Sequence, residues 1–342
     1  MSPRNSTRST RVFNDLTRFA LPLLLAVVVL GFSLSIQDFL SVQNLRGIAV
    51  NQIVTLFVAL AVAAVLSIGE IDLSVANILG LSQALTVGLI SFSGLPIGLA
   101  VVISLAASAV VGLINGLMVV RLSLNSLVAT LAMSSVLTGL VLWYTKGTSV
   151  FQNVPPAFQN ISNSDLLGVP LPLVYGFLAV VALEVVFGLL PTGRRMYAVG
   201  GNRRAALLSG IRVDRLVLGT FVAAGLIAGL AGTIIASRLG SASPDLGPSF
   251  LLPAFAAAFL GSTTIRPGRY NPLGTVVAVY LIAVTVAGLQ QLGAPSWAQY
   301  VFNGLALALG VTLSVRLVKA REARAKKAQL RSFEQSAQAA AA

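Results

Sequence analysis

Long apolar runs separated by short polar breaks occupy the chain from residue 19 to residue 318. Ten can be placed, at about 19–36, 47–68, 73–92, 95–120, 126–143, 172–190, 216–237, 249–264, 273–292 and 297–318. Most approach the roughly 20 residues that a helix needs to cross a ~30 Å hydrocarbon layer. The third opens on Glu70, Asp72 and Ser74 and the eighth is short, so each is expected to be either broken or re-entrant. Backbone amides cannot go unpaired in lipid, so the pattern predicts an all-α integral membrane protein of about ten transmembrane helices. Five runs precede the polar stretch 144–172 and five follow it. A repeat with an odd number of crossings is inverted in the membrane, so an inverted five-plus-five repeat is an expectation, though direct similarity between the halves is weak.

Composition supports this class. Of 342 residues, 56% are hydrophobic and 10% charged, far below the quarter or so of a soluble domain. The absence of cysteine and histidine excludes disulfides, thiol nucleophiles, imidazole acid–base chemistry and metal sites built from those ligands. The formal charge of +13 follows the topology and does not indicate nucleic acid. With the N-terminus inside, Arg4, Arg8, Arg11 and Arg18, Arg121, the cluster at 191–215, Arg266, Arg269 and the cluster at 316–331 all fall in the cytoplasm. Only Arg46, Lys146 and Arg238 fall outside. That asymmetry predicts cytoplasmic location for both ends. Residues 1–18 then form a basic N-tail leading into an uncleaved first span, since no small-residue cleavage site follows it. Residues 319–342 are expected to form a basic, then disordered C-tail, its basic part anchored at lipid headgroups.

Two loops stand out. Pro191–Arg215 carries Arg194, Arg195, Arg203, Arg204, Arg212 and Arg215. Asn202 can accept from first-turn N–H groups and Gly210 can take a left-handed stop, which predicts a helix of about two turns between them. So short a helix does not hold alone in water, and arginines at its N-terminal end oppose the dipole. The stretch is either an ordinary basic loop or a surface built to meet another protein. The second loop, 144–172, has prolines at 155, 156, 170 and 172, which suggest a turn system more than a helix. It is either a solvated linker between halves or a landing surface for an external partner.

Little in the chain carries reaction chemistry. No G-x-x-x-x-G-K-[ST] occurs, so the chain is not expected to hydrolyse nucleotide, and no cofactor or metal site is expected. Glu184 is the one acid well inside an apolar run, either a neutral structural group or a proton carrier that lacks a cationic partner in any run. Asn51, Gln83, Asn115, Ser134 and Asn303 are the candidates for a polar translocation path, with Gln52, Ser82, Ser135 and Thr285 beside them. Each could equally be helix–helix glue. Small-residue runs at 59–64, 106–116 and 225–232 would let helices approach closely.

Four stretches in order, EIDLSVANILGLS (70–82), GLINGLMVVRLSLNSLVATLAMSSVLTGL (112–140), RRMYAVGGNRRAALLSGIRVD (194–214) and the run from AGLAGTIIASRLG onward, resemble the permease subunits of ribose-type ABC sugar importers, including autoinducer-2 and rhamnose relatives. The similarity runs from about residue 45 to 318. It implies a multi-pass, non-enzymatic permease in a bacterial cytoplasmic membrane, with a cytoplasmic ATP-hydrolysing subunit, an external (periplasmic) sugar-binding protein, and a second permease copy or close paralogue. It also implies that 191–215 docks on the ATPase through an E-A-A-x-x-x-G pattern. Ala205, Ala206 and Gly210 match that pattern, Arg204 stands where Glu is common, and Asn202 lies just ahead. Outside the resemblance, an ion-coupled secondary transporter of a small polar solute would need paired membrane carboxylates. A membrane-embedded glycosyl- or phosphotransferase would need clustered acids and metal ligands at one face, and only Glu70 and Asp72 come close.

Overall fold

The computed structural model describes residues 4–318, with side chains from residue 18 onward. The C-tail and the basic side chains ahead of Arg18 lie outside the described residues. In chain order the helices are α1 (Arg4–Ser35), α2 (Val42–Asn51), α3 (Ile53–Ser67), α4 (Val75–Ser91), α5 (Ile97–Val120), α6 (Ser126–Thr145), α7 (Pro156–Asn163) and α8 (Leu171–Glu184). After a π-helical turn at Val185–Leu189 come α9 (Pro191–Gly201), α10 (Arg203–Leu208), α11 (Val213–Leu239), a 3-10 turn at Gly247–Phe250, α12 (Leu251–Gly261), α13 (Pro272–Gln291) and α14 (Trp297–Val318). Among the described residues, eight stretches are long and apolar enough to cross a membrane, and α4 and the Gly247–Gly261 unit are shorter apolar helices. Together they correspond to the ten runs.

The second run is not one helix. Gln52 interrupts it, with its own N–H turned back to the Val50 carbonyl, so α2 and α3 meet at a break. From Ile53 to Ser67 every residue of α3 is buried. A helix apolar on all sides is a core helix, and α3 is the axis of this one. It packs against α11, α12 and α13, while α11 packs against α3, α4 and α5. The second helix of each half thus lies against the third and fourth of the other, the pairing expected of a repeat. The third helices, α4 and α12, are the two short ones. They are linked through the turn ahead of α12, where a Cβ on Gly80 would sit 3.5 Å from the Gly247 Cα. Along α5 and α11 the backbones nearly touch: a Cβ at Gly225 would lie 2.4 Å from the Ser108 carbonyl oxygen.

The stretch 144–172 departs from expectation. Pro155 and Pro156 do not make a turn system. Proline at the first helical position has its φ preset and loses no needed N–H, and here it starts α7. Nor is the stretch a solvated linker. Phe158 is fully buried, Ser237 Oγ donates to its carbonyl (2.7 Å), and Val150 pairs with Ala242. A two-residue hairpin, β1 (Asp165–Leu166) with β2 (Val169–Pro170), closes the segment.

Candidate functional site

The break at Gln52 lines a cavity of about 480 Å³, within the ~300–1,000 Å³ range of small-molecule sites. Its polar lining is Asn51, Gln52, Thr55, Ser249, Gln299, Tyr300 and Asn303, and its apolar wall includes Phe250, Leu252, Ile282 and Val286. Among the described residues, none of the side chains lining it is charged. The Asn303 side chain is buried with its Oδ1 unpartnered among the described residues. Arg238 reaches the rim, donating to Asn51 Oδ1 and to the Val50 carbonyl. Breaking a helix beside a cavity frees backbone groups where a polar solute can use them.

Of the five path candidates, Asn51 and Asn303 come together here. The other three are elsewhere. Gln83 is fully buried and donates to the Ser241 carbonyl (3.1 Å), with its Oε1 unpartnered. Asn115 donates to Ser74 Oγ (2.7 Å), joining α5 to the strip ahead of α4. Ser134 donates to Asn77 Oδ1 (2.7 Å), joining α6 to α4. Ser82, from the wider set, donates to the Gly229 carbonyl. Spacing could not separate the two groups, because a polar residue in an apolar run looks the same whether it faces a neighbour or a cavity. Thr55, Ser249, Gln299 and Tyr300 were missed: a lone threonine inside an apolar run carries no signal, and the other three sit at or near the ends of their runs, where polar residues are ordinary.

At the other end of α3 lies the basic stretch. Asn202 Oδ1 accepts from Ala205 N–H (2.9 Å), and Gly210 has φ of 79° with its N–H on the Leu207 carbonyl. Between them α10 turns Ala206 inward and leaves Arg204, Ala205, Leu207 and Leu208 exposed. The whole of 191–201 is also helical, a feature hidden by its three glycines. Arg203 of α10 binds Glu70 Oε1 (2.7 Å) in the strip between α3 and α4.

In that strip Asp72 is buried. Its Oδ1 accepts from Ser74 N–H (2.8 Å) and Ser74 Oγ (2.6 Å), and its Oδ2 has no partner among the described residues. Burial outside the spans pushes this carboxyl up to about 6, against the hydrogen bonds from Ser74 and Asn115, which pull it down. Glu184 has no cationic partner within any apolar run, and the structure supplies one from outside the runs. Arg266, from the loop after α12, pairs with Glu184 Oε1 at the π-helical turn. The partner lies outside any apolar run, which is why a search along the runs could not find it.

Residues 44–311 match the family described as branched-chain amino acid transport system / permease component. The ribose import permease protein of Bacillus subtilis (strain 168) is 38% identical over 292 residues, 85% of this chain and 89% of that one. The L-arabinose ABC transporter permease protein of Azospirillum brasilense is 31% identical over 307 residues, 88% of each chain. The autoinducer 2 import system permease protein of Escherichia coli (strain K12) is 31% identical over 293 residues, 84% of this chain and 88% of that one. No solved structure matches. This is a family of transporter components and not of enzymes, and with ten apolar helices among the described residues and matches across most of both chains, the protein belongs to the branched-chain amino acid transport system / permease component family.

Proposed function

We propose that the chain is the membrane-spanning subunit of an ATP-driven importer of a neutral sugar, a multi-pass protein of the bacterial cytoplasmic membrane. An external binding protein delivers the sugar at the Asn51 end, and a cytoplasmic ATPase, which holds the ATP, docks on α10. A second copy or close paralogue completes the transit path. The observation that carries the choice of solute is the uncharged lining of the 480 Å³ cavity. Amides and hydroxyls supply donors and acceptors to a polyhydroxylated solute, whereas a zwitterionic amino acid would need partners for a carboxylate and an ammonium. The relatives named for ribose, L-arabinose and autoinducer 2 import agree with that chemistry. A proton-coupled mechanism is disfavoured by Glu184, because an acid paired with Arg266 is not a free carrier.

The test is uptake into proteoliposomes holding the permease, its ATPase and its binding protein. ATP-dependent entry of a labelled pentose or deoxy-sugar is expected, with Asn303→Leu several-fold slower in an intact complex. Uptake by the permease alone on a proton gradient, or entry of leucine in place of sugar, would overturn the proposal.

A further inference from the structure

We infer that the Glu70–Arg203 ion pair is the clasp through which α10 moves the buried axis of the fold, making these two positioning residues for energy coupling. The inference rests on the reading of α10 as the ATPase-docking element.

Three contacts meet at this seam. Arg203 Nη1 lies 2.7 Å from Glu70 Oε1, and its Nη2 lies 3.8 Å from Asp214 Oδ1 in the first turn of α11. One guanidinium therefore ties α10 to two other elements. Beside it the backbones of α9 and the α3–α4 strip are in contact: a Cβ on Gly200 would sit 2.3 Å from the Ser67 carbonyl oxygen, and one on Gly69 would sit 3.4 Å from the Gly200 Cα. A side chain at Gly200 would have to displace the backbone of the strip, and Gly69, with φ of 81°, lies in van der Waals contact with Gly200, so the coupling stretch and the end of α3 are seated against each other. The strip itself is held firmly. Ile71 N–H donates to Ser126 Oγ (3.1 Å) and Leu73 N–H to Thr130 Oγ1 (3.0 Å), both on α6, while Asn115 of α5 holds Ser74.

The direction of action follows from the geometry. α3 leaves this seam and ends at Gln52 and Thr55 in the polar cavity, a span of fifteen residues, or about 22 Å at the ~1.5 Å rise of a helix. All of it is buried, so it can shift only with its neighbours. Glu70 is the more enclosed partner, with 14% of its side chain exposed against 46% for Arg203. It is the fixed half of the clasp, and Arg203 is the half that arrives with α10. Glycine contact alone resists compression but not separation. The ion pair supplies the pull, so that α10 can drag the strip as well as push it.

The experiment uses the full transporter in proteoliposomes and reads sugar imported per ATP hydrolysed, alongside pull-down of the ATPase. Glu70→Gln and Arg203→Gln should each lower that ratio three-fold or more while the ATPase still co-purifies, and the exchange pair Glu70→Arg with Arg203→Glu should recover part of it. A merely structural role would lower uptake and hydrolysis together and leave the ratio unchanged. An unchanged ratio in both single variants with the ATPase bound overturns the clasp. Failure of the wild-type chain to bind any ATPase would instead overturn the functional reading on which it rests.

Discussion

Asp72 shows how a single residue's surroundings become a measurable property. Its carboxyl is held near 6 because burial penalises the charged form more than Ser74 and Asn115 favour it. A carboxyl raised above its unfolded value contributes stability that is complete below about pH 4 and is lost as pH rises through about 6. The detergent-solubilised protein should therefore lose melting temperature between about pH 4 and pH 6. Asp72→Asn should flatten that slope, since an amide can still accept from Ser74 and can donate to Asn115 Oδ1, now without a partner. Equal slopes in the two proteins would show that Asp72 does not titrate in this range. Glu184 gives the contrasting case, a carboxylate matched to Arg266 on a partly exposed edge. Such pairs fall between the ~0.2–1 kcal/mol of exposed ion pairs and the several kcal/mol lost when a buried pair is broken.

Among the elements, α11 and α5 depend most on close approach. Gly225→Ala would place a methyl 2.4 Å from the Ser108 carbonyl and force the helices apart, at a cost on the order of 1–3 kcal/mol for overpacking. Gly219→Ala on the same helix meets nothing within 4 Å and is the control. Thermal unfolding should separate the two variants clearly, and similar melting for both would mean that the helices slide past the clash. The spans were legible in the sequence because their apolar runs are long and their ends polar. The cap at Asn202 and the stop at Gly210 were legible because both are local chemistry. The break at Gln52 was not, since one glutamine in a run of 22 residues carries no period to betray it. The cavity was not legible either, because Asn51, Ser249 and Asn303 come from three distant stretches that only packing brings together.

Among the described residues the charged contacts sort to two ends of the molecule. Arg46 with Asp165, and Arg238 with Asn51, gather at one; Glu70 with Arg203, and Glu184 with Arg266, gather near the other end of α3 and α8. The positive-inside rule would put the second group in the cytoplasm. The natural absence of cysteine makes this directly testable. In intact cells a membrane-impermeant maleimide should label Lys146→Cys and should label Arg204→Cys only after the membrane is opened. The reverse pattern would invert the topology and remove α10 from the reach of any cytoplasmic partner.

The complete enclosure of α3 also bears on how the protein is made. Its main neighbours, α11, α12 and α13, all belong to the second half of the chain. At roughly 5–20 residues per second the ribosome reaches them about 10–40 s after α3 emerges. Until then the axis of the finished protein lacks its main partners and must wait largely among lipid tails. Its sequence, IVTLFVALAVAAVLS, suits that wait, since only Thr55 and Ser67 are polar and Ser67 Oγ donates to the Ala64 carbonyl of the same helix. The helix that ends up least in contact with the bilayer is thus one that the bilayer must first be able to hold.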